Sequence, residues 1–303
     1  MGAEWHRELY GVAVSGGGDS MALLDLMHQL LPRQVQAATV DHGLRAASAD
    51  EAALVGSHCA ALGVPWTCLR PPHAIKGSLQ AEARLARYAL LERWRRDEGI
   101  GFLLTAHHAD DQLETLVMRL NRASGVGGMA GIRRRQGRIL RPLLDWRRAE
   151  LAQWLHARSV PHVEDPSNAD PRFDRARLRL QLGQQDWLDP LAATRTAAWL
   201  DQADQALDWM VGQAIARWPD AADPAIIRDE AYPDELFRRI ILHRLLAHQP
   251  GLSVRGIALD GVMAAMRGGR RAMVGALLID PASATAPTLW RISAAPRRKP
   301  NIK

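Results

Sequence analysis

The segment Ser15-Gly16-Gly17-Gly18-Asp19-Ser20 follows the apolar run Leu9-Tyr10-Gly11-Val12-Ala13-Val14. It precedes a stretch that places Leu23, Leu24, Met27 and Leu31 on one helical face. A buried strand, a glycine turn and a helix together make the layout of a phosphate cradle. Glycines let backbone N–H groups close on an anion. The helix N-terminus adds unpaired donors and partial positive charge, and Ser15 and Ser20 bring hydroxyls to the rim. Two common cradles are excluded. G-x-x-x-x-G-K-[ST] needs a lysine, and the first one here is Lys76. G-x-G-x-x-G fails because Asp19 and Met21 fall where its spacing needs small residues. A carboxylate in an anion site repels phosphate, so Asp19 either caps the helix or holds a Mg²⁺ that bridges to the phosphate. The plain alternative is a tight turn with an Asp cap and no ligand.

A second cluster is denser. Thr105-Ala106-His107-His108-Ala109-Asp110-Asp111-Gln112-Leu113-Glu114 ends one apolar run and opens a helical one. Asp111 and Glu114 are three apart and Asp110 and Glu114 four apart, so either pair shares a helix face. Carboxylates gathered there suit Mg²⁺ or a cationic amine, whereas the zinc pattern H-E-x-x-H is absent. Dipole-favoured acids of a first helical turn are the alternative. Asp41-His42-Gly43-Leu44-Arg45 ends another apolar run and reads as a loop beside the cradle or an ordinary turn. Arg84 and Arg87 lie beside Tyr88 on a long helical stretch and could reach a phosphate or line a solvated face. The glycine run 125–132 reads as a flexible loop. Arginines 133, 134, 135, 138, 141, 147 and 148 follow it against one acid, Asp145, and suit an RNA-docking patch. Asp165-Pro166-Ser167-Asn168 has turn chemistry, and Arg172, Arg175, Arg177 and Arg179 after it suit phosphate contacts.

Alternating strands and helices must position these groups. Strands are expected at 35–40, 66–69, 100–106 and 139–144, and helices at 49–62, 79–98, 111–122 and 147–158. Apolar strands between helices imply a parallel sheet covered on both faces, with ligands at the carboxyl ends of the strands. Every motif singled out so far is expected at those ends, or in the helices and loops that follow. Near 183–190 the pattern changes to helices at 191–218, 234–248 and 253–267 and a small strand pair at 276–280 and 289–292. Leu200, Leu207, Met210, Val211, Ala214 and Trp218 read as a core stripe. The expected architecture is α/β: a parallel-sheet catalytic domain over 1–185, then a mainly helical domain over 190–303.

The chain has 303 residues and a net charge of +6, and its isoelectric point is about 10. The bases are nearly all arginine, which suits bidentate phosphate contacts and makes nucleic acid a natural partner. Cys59 and Cys68 are too few for a zinc or iron–sulfur motif and read as buried thiols in a reducing compartment. No apolar run reaches the roughly 20 residues of a membrane span, and 1–8 does not resemble a signal peptide. A cytoplasmic chain without membrane partners, monomeric or homodimeric, is expected.

Taken together these residues resemble one family. The 15–20 segment is similar to the S-G-G-x-D-S loop of the N-type ATP pyrophosphatases, the adenine nucleotide alpha hydrolase-like fold. Residues 41–45, AR-x-x-RY at 83–88, 105–115, the glycine run and 165–168 resemble the tRNA(Ile)-lysidine synthetase family, in its shorter form without a larger extra C-terminal domain. The likeness covers about residues 10–180. It implies ATP and Mg²⁺ as cofactors, and an isoleucine tRNA with a CAU anticodon and free L-lysine as partners. It also implies two steps: adenylation of the wobble cytidine with loss of pyrophosphate, then displacement of AMP by lysine. By the resemblance, 15–20 hold pyrophosphate and Asp19 reaches the metal. Asp110, Asp111 and Glu114 place the lysine ammonium, with Asp111 and Glu114 taking its proton. Arg87 offsets charge on the leaving pyrophosphate, and Arg175 and Arg179 sit near cytidine and AMP. Arg133, Arg134, Arg135 and Arg138 grip tRNA together with the second domain. One departure is Ala176 where the family usually has Asn. An RNA thiolase of the same fold is the nearest rival, but it needs paired cysteines for an iron–sulfur cluster. A glutamine-dependent ligase lacks its glutaminase domain here.

Overall fold

The computed structural model describes residues 8–41, 43, 47–71, 79–164, 174–183, 185–252, 254, 256–283 and 288–295. His42, Leu44, Arg45, Lys76, 165–168 and Arg172 lie outside the described residues. By its contacts the chain divides into two units, Met1–Asp201 and Gln202–Lys303.

In the first unit the elements run β1 (Tyr10–Ala13), α1 (Gly18–Leu30), β2 (Val35–Val40), α2 (Ala47–Leu62), β3 (Trp66–Leu69), α3 (Leu79–Asp97), β4 (Phe102–Leu104) and α4 (Ala109–Leu120). There follow α5 (Val126–Met129), β5 (Arg135–Gln136), β6 (Ile139–Leu140), a 3-10 turn over Pro142–Asp145, α6 (Arg148–Ala157) and α7 (Asp174–Leu182). The six-stranded sheet has the order β3-β2-β1-β4-β6-β5. All its pairings are parallel except that of β5 with β6. The chain leaves β1 toward β2 and β3, then returns to the other side of β1 with β4. Order therefore reverses between β1 and β4, and the carboxyl ends of these two strands flank the crevice where such sheets bind ligands.

Both faces of the sheet are covered, as its continuous apolar strands require. On one side Met21, Leu23 and Leu24 of α1, Val55 and Cys59 of α2 and Leu151 of α6 pack on Val12 and Ala37. On the other, Leu91 and Trp94 of α3 pack with Ala38, Ile100 and Leu103. Gly11 sits where Trp94 presses on β1, and a Cβ there would lie 2.6 and 2.8 Å from Trp94 ring carbons. Buried Trp94 cannot swing away, so Gly11→Ala is expected to cost about 1–3 kcal/mol. Calorimetry should show the melting temperature falling by several degrees, and a change under about 1 °C would contradict this packing.

The interior of the first unit differs from expectation in three places. The glycine run contains the helical turn α5. The strand expected over 139–144 stops at Leu140, because Pro142 cannot donate to a ladder and opens the 3-10 turn. Cys68 is only half-buried, while Cys59 is buried and its thiol is pushed up to about 11 by desolvation.

Helix α8 (Pro190–Ala216) begins in the first unit and ends in the second. The second unit adds β7 (Ile226–Arg228), α9 (Asp234–His248), α10 (Gly256–Arg267), β8 (Ala272–Val274), β9 (Leu277–Pro281) and β10 (Leu289–Ala294). Its antiparallel sheet has the order β7-β10-β9-β8. The expected pair is β9 with β10, and β7 and β8 flank it. Phe237, Ile240, Ile241, Leu245, Ile227, Ile279 and Trp290 form the core. Val211 and Trp218 join it, but Met210 of the expected stripe is exposed.

Candidate functional site

The cradle forms because β1 stops beside Ala13 and the chain turns through a positive φ of 89° at Gly16, a conformation open to glycine at little cost. Ser20 is buried and ties the turn: its Oγ accepts from Ser15 N–H at 3.1 Å and donates to Gly17 O at 2.8 Å. Of the two serines expected at the rim, only Ser15 is exposed. Gly17 caps α1 without a side-chain bond, so the helix starts at Gly18 and Asp19 is not its cap. The first amides of α1 have no acceptor within the helix. A side chain at Gly18 would meet Leu155 Cδ1 at 3.1 Å. Val163 N–H donates to Gly16 O at 2.9 Å, lacing the cradle to the segment after α6.

Asp19 leaves its carboxylate partly exposed, with Oδ2 3.5 Å from His108 Nε2. His108 is the N-cap of α4 and only 1% exposed. Its backbone N–H donates to Asp111 Oδ2 at 3.1 Å. Its Nε2 lies 3.5 Å from Asp111 Oδ2, and its Nδ1 lies 3.5 Å from Asp110 Oδ2. Asp110 also accepts from Arg148 N–H at 2.8 Å. Desolvation opposes a charge on His108, but hydrogen bonds to Asp110 and Asp19 and the field of Asp111 outweigh it and raise its pKa to about 10. Burial likewise pushes Asp19 and Asp110 up, yet His108 holds both below the usual carboxylate value. His107 has the opposite fate. Desolvation pushes it down to about 4, so it is neutral, with Nδ1 3.0 Å from Thr105 Oγ1.

Asp111 and Glu114 do share a face, and α7 clamps it. Arg175 Nε donates to Glu114 Oε2 at 2.7 Å and Nη2 to Asp111 Oδ1 at 2.8 Å. Arg179 Nε donates to Glu114 Oε1 at 2.6 Å and Nη2 to Oε2 at 3.1 Å. Glu114 is buried and saturated by these bonds, while Asp111 keeps its Oδ2 side toward His108 and Asp19. Asp110 does not join that face, since it turns to His108 and Arg148.

Arg84 and Arg87 both lie over the Tyr88 ring, at 5.0 and 5.6 Å. Burial lowers the Arg87 pKa from its ordinary value. Arg141, buried at the end of β6, donates to Arg133 O and Gln136 Oε1. Arg84, Arg141 and Arg175 all act on His107, so the field of α3 reaches the end of β4. Sequence reasoning missed the roles of His108, Gln112 and Arg141. Buried Gln112 holds both N–H and C=O of Ile132, fixing the exit of the glycine run. Its place in a helix opening beside a glycine run was the available signal.

The four arginines 133, 134, 135 and 138 do not form one patch. Arg133 pairs with Asp201 at 2.5 Å, and Arg134 pairs bidentately with Asp145. Arg135 and Arg138 lie over Phe102, the first residue of β4, at the amino end of the parallel strands. These arginines belong to a loop that follows the strands, and the antiparallel turn from β5 to β6 carries them to the edge opposite the carboxyl ends.

Comparison with known proteins matches this architecture. Residues 4–186 fit the family model of the PP-loop domain. A tRNA(Ile)-lysidine synthase of Novosphingobium aromaticivorans is 41% identical over 298 residues, covering 95% of this chain and 89% of the relative. That of Zymomonas mobilis is 35% identical, with the same shares covered. The chain belongs to the tRNA(Ile)-lysidine synthase family. Among solved structures, the U34-tRNA thiolase NcsA of Methanococcus maripaludis, with its [4Fe-4S] cluster, superposes with a TM-score of 0.54 at 14% identity. That match covers 64% of this chain and 71% of that one and shows a shared fold. Among the described residues no helix is long and apolar enough to cross a membrane.

A pH dependence follows for this family member. The folded pKa of His108 lies above its ordinary 6.5, so its stabilising effect is complete below that value and is lost as pH rises through about 10. Three lysines, three tyrosines and two cysteines also titrate there, and Cys59, pushed up to about 11, adds to the same fall. In EDTA, the melting temperature is expected to fall between about pH 8 and pH 10. The fall should be shallower in His108→Gln, and equal slopes would disprove the assignment.

Proposed function

We propose that this enzyme joins free L-lysine to the wobble cytidine of an isoleucine tRNA through an adenylated cytidine, releasing pyrophosphate and then AMP. A ligase of this family uses ATP and acts on tRNA(Ile). The observation that supports these steps is the joining of the cradle to the acid pair through His108. In this reading the cradle is the pyrophosphate site and the acid pair the amine site, after the two strands that flank the sheet's reversal point.

In this reading the 15–20 turn binds pyrophosphate through backbone amides. Asp19 suits a Mg²⁺, being a partly exposed hard-oxygen donor beside the cradle. Such an ion, when bound, would offset the charge of the phosphates. Arg87 serves the same end from α3. The division of labour between the acids is unequal. Asp111 receives the lysine amine at Oδ2, the oxygen that neither arginine engages, and Glu114 anchors Arg175 and Arg179 near the nucleotide. A lysine ammonium holds its proton to about pH 10.4, whereas a carboxylate ordinarily takes one only near pH 4. The proton therefore leaves the amine as the C–N bond forms, not before. Arg133, Arg134, Arg135 and Arg138 contact tRNA in this reading, together with the second unit.

Pyrophosphate release, measured with and without tRNA(Ile) and lysine, tests the assignment. Release is expected to need the tRNA, and lysidine formation to need lysine as well. ADP and orthophosphate as products, or release indifferent to tRNA, would refute it. Sulfide dependence would favour a thiolase.

A further inference from the structure

The four arginines between 133 and 138 separate by partner. Arg133 and Arg134 are neutralised by Asp201 and Asp145. Arg135 and Arg138 have no carboxylate within ion-pair distance among the described residues. Their guanidinium groups lie 5.2 and 5.4 Å from the same half-buried ring, Phe102. That ring is itself backed by Tyr10, stacked at 6.4 Å. One Arg135 donor is used, Nε to Gly137 O at 3.3 Å. Arg138 feels Glu92 only at a distance. Both side chains are exposed.

Two cations on one ring repel each other, and cation–π attraction does not remove that repulsion. An anion bound beside them would offset it. Contact with the ring also restrains both side chains, so less freedom is lost when they meet a ligand. Place then selects the anion. The ring opens β4, while the acid pair follows its end, so the two lie at opposite ends of a strand about 10 Å long. The exposed two-residue strand β5 lies at the sheet edge, with Arg135 opposite Leu140 and Gln136 opposite Ile139.

We propose that Arg135 and Arg138, held beside Phe102, form a second RNA contact at the amino edge of the sheet. They bind phosphodiester groups of the duplex stem that leads away from the nucleotide at the carboxyl edge. This rests on the tRNA reading above and adds a direction: the stem runs down the β5 edge. The competing role for such arginines is to guard an edge strand against pairing with other chains.

Filter binding of intact tRNA(Ile) across a salt series tests it, using wild type, the double variant Arg135→Gln/Arg138→Gln and the double lysine variant. The glutamine pair is expected to lower the slope of log K against log salt by about 2 and to weaken binding about tenfold at fixed salt. The lysine pair should recover the slope. A hairpin trimmed to the loop and its closing pairs should bind wild type and glutamine variant alike. ATP affinity equal to wild type shows that the variant is folded. An unchanged slope leaves only the edge-guard role and overturns the proposal. A lowered slope with the trimmed hairpin overturns the stem assignment. Failure of wild type to bind tRNA while it binds ATP would overturn the tRNA reading itself, and the proposal with it.

Discussion

Asp111→Asn is expected to reduce lysine transfer by at least about a hundredfold while the protein stays folded. Asn keeps one oxygen, which can still accept from Arg175 and Arg179 where Oδ1 does, while the His108 amide loses its bond to Oδ2. The charge that would draw in an ammonium and take its proton is lost. Adenylation needs neither, so tRNA-dependent pyrophosphate release in a single turnover should fall far less than lysidine formation. The lysine concentration for half-maximal rate should also rise. Equal losses in both steps would move Asp111 from the amine to the nucleotide, and unaltered transfer would remove its role.

Glu114→Gln is expected to act first on stability. Its buried carboxylate takes three bonds from Arg175 and Arg179. Breaking a buried ion pair costs about 3–5 kcal/mol. Arg175 is 42% exposed, so solvent screening lowers that to about 2–4 kcal/mol. Against a whole-domain stability of about 5–15 kcal/mol this is a large share. Calorimetry should record a melting temperature lower by roughly 5–15 °C, and limited proteolysis should cut first within α7. A change under about 2 °C would show that the clamp does not hold α7 to α4. The two substitutions are three residues apart and separate chemistry from architecture. Asp111→Asn acts chiefly on activity, and Glu114→Gln chiefly on stability.

Features encoded in short segments were legible from sequence. The apolar run, three glycines and amphipathic stretch that make β1, the cradle and α1 lie within about 25 residues, and their order alone specifies a strand, turn and helix. Asp111 and Glu114 share a face because of helical spacing, which is likewise local. The partners that decide what those acids can do lie more than sixty residues away, and nothing in the spacing of 175–179 says which side of α7 meets α4. His108 looked like one of two adjacent histidines. Alternation at the strand end buries one between three carboxylates and leaves the other beside Thr105, so neighbours in sequence acquire opposite charge states. The partners that divide the basic segment were not legible, because arginine composition carries no information about a reversal of direction. In the second unit β9 and β10 were visible as apolar runs, whereas three-residue β7 and β8 are too short to show a period.

The bond from Val163 N–H to Gly16 O closes a loop of nearly 150 residues around the cradle, and Leu155 walls the same turn. During synthesis, strand β1 and its glycines leave the ribosome long before their last supports exist. A nascent chain ending before α6 therefore has the cradle's residues without its shape. At about 5–20 residues per second, several seconds separate the two events. Nucleotide capture thus becomes a late checkpoint of biogenesis: ribosome-bound chains stalled short of residue 163 should not retain ATP, and those in which the α6 segment has fully emerged should.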